Sequence, residues 1–251
     1  MNTGVLVIAA ALWGAAAGAF LPRAAYRFSA PSGEPWRERC PGGHALKGWL
    51  GRASCPECAA GAQGEERDEA AYGPRTTPLV IATALVCAAL AAATGTRPEL
   101  GVWLLLAPVG VLLTAVDFRV RRLPDPLTLP FAAAALVLLG LTALVPEHAG
   151  EWTTALLGSL ALGGGYFVLF LINPAGMGFG DVKFALGAGA VLGWYGWPTV
   201  MLGTFAGFLL GALYGGALVV ARRAGRKTAI PFGPFLISGA FLGLLAGAYA
   251  A

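Results

Sequence analysis

Two carboxylates stand where an apolar sequence has least use for them. Asp117 ends the run Leu112-Leu113-Thr114-Ala115-Val116-Asp117. Asp181 follows Gly176-Met177-Gly178-Phe179-Gly180, just before Val182-Lys183-Phe184-Ala185-Leu186 turns apolar again. An ionised carboxylate at the edge of a membrane-type segment costs several kcal/mol unless it is hydrated or paired. A pair of them can do chemistry. One activates a water; the other, protonated, polarises a peptide carbonyl and later protonates the departing amine. Like charges a few ångströms apart favour sharing one proton between them. The glycines at 176, 178 and 180 let the backbone take unusual dihedrals and pass close to another chain, with Gly178, Gly180 and Lys183 as the supporting loop.

Other readings compete for these residues. Asp181 also suits the N-cap of the helix that follows it. Asp117 has no such alternative, because it ends a helix, where the dipole disfavours an acid. Asp125, in Leu123-Pro124-Asp125-Pro126-Leu127-Thr128, precedes a proline that opens an apolar run and is expected as a structural cap. Lys183 is expected to snorkel to the interface, with tuning of Asp181 as its functional alternative. His148 is expected solvated on a short loop, and Trp194 and Trp197 in an interfacial aromatic belt.

The elements that must position the two acids are membrane helices. Of 251 residues, 57% are hydrophobic and 12% charged, and the mean hydropathy is +0.70. Runs of about 20 apolar residues recur, each able to cross a hydrocarbon core of about 30 Å. The first, Gly4 to Phe20, lacks a basic flank and is expected to be a retained helix rather than a cleaved signal. Eight transmembrane helices are expected, near 4–21, 78–95, 100–117, 127–146, 152–172, 182–194, 197–220 and 232–250, the sixth being short. The fold class is an all-α polytopic bundle. It divides into a first helix (1–21), a polar loop (22–77) and a membrane core (78–251). No strict internal repeat is visible. Gly14/Gly18 and Gly207/Gly211 have the spacing of close helix packing.

The net charge of +4 with pI near 9.0 does not point to nucleic acid, because the basic residues fall into alternate loops. Eight lie in 22–77, three follow the third helix (Arg119, Arg121, Arg122), Lys183 follows the glycines, and Arg222, Arg223, Arg226 and Lys227 follow the seventh helix. Arg97 alone lies on the opposite side. Positive charge collects on the cytoplasmic side. The expectation is an N-terminus outside, with the polar loop and both acids at the cytoplasmic face of the cell inner membrane. Three of the four cysteines share the polar loop and Cys87 lies in an apolar helix, which is more like a cytosolic metal site than a disulfide framework.

The chain resembles the type IV prepilin peptidases, membrane aspartyl proteases with a Gly-x-Gly-Asp signature. The resemblance rests on four blocks in order across nearly the whole chain. They are Gly18-Ala19-Phe20-Leu21 with Arg27; Val116-Asp117 with Leu123-Pro124-Asp125-Pro126-Leu127-Thr128-Leu129-Pro130; Gly178-Phe179-Gly180-Asp181; and Ile230-Pro231-Phe232-Gly233-Pro234-Phe235. It implies that Asp117 and Asp181 are the catalytic aspartates, with no cofactor for the cleavage. It implies prepilin or pseudopilin substrates, cut after a short basic leader just before a hydrophobic helix, with membrane lipid around the enzyme. Bifunctional members carry two Cys-x-x-Cys pairs and also methylate the new N-terminus from S-adenosylmethionine. Here Cys55-Pro56-Glu57-Cys58 is intact, but Cys40-Pro41-Gly42-Gly43-His44 has Gly43 where a cysteine is expected. With His44, the set Cys40, His44, Cys55 and Cys58 offers the three thiolates and one imidazole that zinc accepts. No recognisable nucleotide-binding motif accompanies it, so a peptidase without methyl transfer stays open. A transporter, whose acids sit nearer the midplane, and an inactive assembly subunit are the readings from other classes.

Overall fold

The computed structural model describes residues 2–61, 71–174, 176–222 and 231–251. Ile230 of the last motif, and Arg67, Arg223, Arg226 and Lys227 of the charge pattern, lie outside them. Helices α1 (Thr3–Phe28), α2 (Pro56–Gly61), α3 (Thr76–Thr94), α4 (Glu99–Val120), α5 (Asp125–Thr142), α6 (Trp152–Ile172), α7 (Phe179–Gly193), α8 (Trp197–Val220) and α9 (Gly233–Ala250) follow one another. Two isolated antiparallel bridges, Arg39–Ala45 and Ser54–Ala71, shape the loop after α1. Among the described residues, seven helices are long and apolar enough to cross a membrane. The eighth long element, α7, has 15 residues, or about 22 Å of rise, and falls short of a full crossing. It is nonetheless the centre of the bundle, buried from Gly187 to Gly193 without a break. A helix surrounded by protein does not have to match the lipid thickness.

Small residues decide how closely the helices meet. A Cβ on Gly14 would lie 2.5 Å from the Thr83 carbonyl oxygen, and one on Gly18 2.8 Å from that of Leu79, so α1 and α3 pack backbone to backbone. Gly207 meets α9 in the same way, 3.2 Å from the Phe235 oxygen, whereas Gly211 has ordinary room beside Phe232 and Phe235.

The first helix runs on to Phe28, seven residues past the expected end at 21, even though Pro22 lies inside it. Proline has no N–H to donate and disturbs the ladder around it. The loop occupies the disturbance. The Gly51 N–H donates to the Phe20 carbonyl (2.8 Å), and the Arg23 N–H donates to the Gly51 carbonyl (2.9 Å). Gly51 does this at φ +121°, a backbone conformation that favours glycine, beside the Arg23 guanidinium. The inner turn of α1 then braces the loop. Arg23 Nη1 donates to the Lys47 carbonyl (2.6 Å), Arg27 Nη1 donates to that of Gly48 (2.8 Å), and the Arg27 guanidinium lies 4.0 Å above the Trp49 ring.

At the other end of the bundle two expectations are corrected. Trp194 is buried rather than interfacial, because Gly150 packs against its ring and the Glu151 N–H donates to its carbonyl (2.9 Å). Trp197 is exposed. His148 is half-buried, donates from Nδ1 to the Gly150 carbonyl (2.8 Å) and sits beside Trp194. Glu99, wholly buried, accepts from the Tyr195 hydroxyl (3.2 Å), and Arg97 bonds the Ala248 carbonyl. This polar cluster ties α4, α7, α9 and the 146–151 loop together at the end remote from Asp117 and Asp181.

Candidate active site

α4 and α7 bring their acids to the same end of the bundle, and both open into one cleft of about 510 Å³. Asp117 sits in the last turn of α4, which closes on Arg121 in the left-handed conformation (φ 52°). Asp181 is the third residue of α7, not its N-cap. The cap is Gly178, whose N–H donates to Asp181 Oδ2 (3.1 Å). Both carboxyls are largely buried, and both line the same cleft. One Asp181 oxygen is therefore fixed by the backbone. Asp117 Oδ2, also buried, has no hydrogen-bond partner among the described residues.

Two glycines set this approach. A Cβ on Gly180 would lie 2.7 Å from the Leu123 carbonyl oxygen, so the start of α7 abuts the turn that links α4 to α5. A Cβ on Gly233 would lie 2.7 Å from Asp117 Oδ2, so the start of α9 abuts the other acid. Phe232, Leu123, Arg121, Arg122 and Ser32 join them in the cleft wall; the first four stood in the motif blocks or the charge pattern without a place in the site, and nothing in the sequence singles out Ser32. Tyr166 was missed as well. It forms one aromatic cluster with Phe208 and Phe232, and its hydroxyl is buried without a partner among the described residues. An unexplained tyrosine in an apolar helix was the available signal.

Asp125 is corrected. It is the first residue of α5 rather than its cap, Pro124 holds the cap position, and no side-chain cap hydrogen bond forms. Its carboxylate instead receives Lys183 Nζ at 2.6 Å, so Lys183 joins α7 to α5 and does not snorkel away. Lys183 also lies over the Phe179 ring (4.9 Å). The third acid in the cleft is thus already spoken for by a cation. An accessible ion pair contributes about 0–1 kcal/mol. Asp125→Asn is accordingly expected to change peptide cleavage by less than about fivefold, measured as initial rate on a leader peptide, if the other two acids carry the chemistry.

The loop after α1 gathers a second cluster. Cys40 Sγ, His44 Nδ1, Cys55 Sγ and Cys58 Sγ all lie within 4.8 Å of one another. His44 Nδ1 is 3.3 Å from Cys58 Sγ, 3.5 Å from Cys55 Sγ and 3.6 Å from Cys40 Sγ, and the Cys40 and Cys58 sulfurs are 3.7 Å apart. A tetrahedral zinc with bonds of about 2.3 Å to sulfur and 2.0–2.1 Å to nitrogen separates sulfurs by about 3.8 Å and sulfur from nitrogen by about 3.6 Å. The four atoms fit that ion. Gly43 stands at φ +83° in a turn closed by its own N–H to the Cys40 carbonyl (2.9 Å), a conformation a cysteine strains to adopt, and the fourth donor arrives one residue later. Cys58 is pushed up to about 11 by its hydrogen bond to Cys55 and by burial, while hydrogen bonds from the surrounding backbone and thiols overcome burial and hold Cys40 below the ordinary thiol range.

The loop itself reaches the cleft at its start, ahead of the cluster. Arg122 Nη1 donates to the Pro31 carbonyl (3.2 Å) and lies 4.9 Å above the Trp36 ring, and neighbouring Ser32 lines the cleft.

Comparison with known proteins places this arrangement. A family profile described as the type IV leader peptidase family matches residues 104–216. A prepilin leader peptidase/N-methyltransferase of Aeromonas salmonicida is 38% identical over 152 residues, covering 57% of this chain and 48% of that protein. One from Escherichia coli strain K12 is 32% identical over 181 residues, covering 67% and 73%. One from Bacillus subtilis strain 168 is 33% identical over 186 residues, covering 70% and 69%. The chain spans about half the length of the Aeromonas relatives it matches. No solved structure matches it. With relatives of this identity matched over more than two thirds of their own length, the chain belongs to the type IV leader peptidase family.

Proposed function

We propose that the protein is a membrane aspartyl endopeptidase that removes the leader of prepilins or pseudopilins. The observation that carries this is the meeting of Asp117 and Asp181, from two different helices, in one cleft at the edge of the bundle. One acid takes a proton from water while the other, protonated, polarises the scissile carbonyl; the proton then passes to the leaving amine. Gly178 holds one oxygen of Asp181 in place through this cycle, leaving the second for the proton transfer. The close fit of Gly180 on Leu123 and of Gly233 on Asp117 sets how near the two helix ends that carry the acids come.

The distribution of lysine and arginine supports placing this cleft at the cytoplasmic face of the inner membrane, with the N-terminus outside. The metal cluster supports zinc as a structural ion that folds a loop too polar to form a core of its own. When bound, it would draw Cys40, His44, Cys55 and Cys58 together, and it takes no part in peptide cleavage. Methyl transfer to the new N-terminus, with S-adenosylmethionine as donor, is the finer part of this reading and rests on the relatives' names.

The test is co-expression with a tagged prepilin followed by mass measurement of its N-terminus. The expected product has lost its leader. A further methyl group on that product adds the second activity; an intact leader in the presence of well-inserted enzyme removes the first. Topology has its own check: a cysteine at Ala60 is expected to be labelled from the cytoplasmic side alone and one at Ala149 from outside alone.

A further inference from the structure

Beside the polar cleft the bundle has a second opening, and it is apolar. A groove of about 260 Å³ runs between α3 and α9 over a floor of α4, with the stacked rings of Phe131 and Phe184 closing its inner wall. It opens sideways from the bundle: Ala82 and Ser238 at its rim are exposed, and Val86, Ile237 and Phe241 are half-buried. The far ends of α3 and α9 are tied where Arg97 bonds the Ala248 carbonyl, so the groove lies on the active-site side of that tie.

Its register against the cleft is the informative point. Thr114 lines the groove and Asp117, three residues on, lines the cleft. Phe184 lines the groove and Asp181, three residues before, lines the cleft. Ile237 lines the groove, and Gly233, four residues before, lies against Asp117. Three or four residues of helix are one turn, about 5 Å. On each of the three helices that build the acid pair, therefore, the apolar groove begins one turn further into the bundle.

We propose that this groove seats an apolar helical segment of the substrate, the part of the peptide that continues from the scissile bond into the bilayer. The proposal rests on the leader-peptidase reading and gives its substrate a second site. A peptide bond presented to both acids must continue in two directions. One lies in the polar cleft, among Arg121, Arg122 and Lys183. Of the apolar openings beside it, the one around Phe208, Gly211 and Phe235 meets the cleft at Phe232, away from the acids' own helices, whereas this groove continues along the three helices that carry or touch the acids. Small residues along it, Ala107, Gly110, Ala188 and Ala240, let a helix come close, where packing rather than water exclusion drives association in lipid. A substrate anchored here would meet Asp117 and Asp181 at one height only, so the groove sets the cleavage position as a distance from the apolar segment.

The experiment uses the full chain in phospholipid vesicles and a synthetic peptide with a polar leader and an apolar helix of about 20 residues, carrying a photoreactive group in the helix's first two turns. Single cysteines at Ala82 and at Ser238 serve as capture sites, and one at Val137, on the exposed face of α5, as the control. Capture at Ala82 and Ser238 well above Val137 is expected, together with cleavage by the unmodified chain. Cleavage with no capture preference for the groove overturns the groove and leaves the peptidase standing. Capture without cleavage does the reverse, and neither overturns both. A photoreactive phospholipid that labels the groove and is not displaced by the peptide makes it a lipid site and also overturns the proposal. In addition, Ala82→Trp, which fills the mouth, is expected to raise KM at least about fivefold with kcat within about twofold. An unchanged KM in a normally inserted variant counts against the groove.

Discussion

Asp117→Asn and Asp181→Asn are each expected to abolish leader cleavage, with at least about a hundredfold loss of initial rate, while the protein still inserts and purifies normally. The amide is nearly isosteric with the carboxyl, so the packing against Gly233 and the hydrogen bond from Gly178 to the side-chain oxygen can both persist. What is lost is the ability to carry a proton. Asp125→Asn provides the internal comparison, because its partner is Lys183 rather than another acid. Full activity in either of the first two variants sinks the catalytic assignment. A double variant no worse than the singles is expected, since residues acting as one unit are strongly non-additive.

The second large effect concerns the metal cluster. Protein purified without chelators is expected to hold about one zinc per chain, and Cys55→Ser with Cys58→Ser to hold none. His44→Ala removes a single donor and is expected to weaken binding less than the double change. Because structural zinc binding is coupled to folding, the metal-free double variant should be cut by added protease between Arg23 and Arg75 well before the membrane helices are. Metal analysis and limited proteolysis read the two halves separately. A zinc-free wild-type chain with a protease-resistant loop overturns the assignment.

Much of this arrangement was legible from composition and local order. Apolar runs of membrane length gave the helices, and the glycines around Asp181 marked a close approach before the neighbour was known. Local signals failed where a distant residue decided the outcome. Pro124-Asp125-Pro126 has the form of a helix start, but the carboxylate went to Lys183, 58 residues away. The first helix was expected to end at 21, and α1 continues past Pro22, where Gly51 supplies partners for the backbone. Trp194 had the composition of a belt residue until Gly150 covered it. The value of Gly233 is likewise invisible in its own segment. It exists only relative to Asp117, 116 positions earlier in the chain, and such pairs leave no periodicity to read.

The interruption at Pro22 also bears on how the protein is made. The contacts that seat the loop on α1 draw on Phe20, Arg23, Arg27 and the stretch from Lys47 to Arg52. The four metal donors lie no further along than Cys58. All of these leave the ribosome before any residue of α3. A nascent chain with its first helix in the bilayer thus already holds every group needed to close this unit. The segment that follows would then be threaded from an anchored platform rather than from a free tail. Glycine at position 51 matters most at that moment, when α1 has no neighbouring helix to hold its open turn in place.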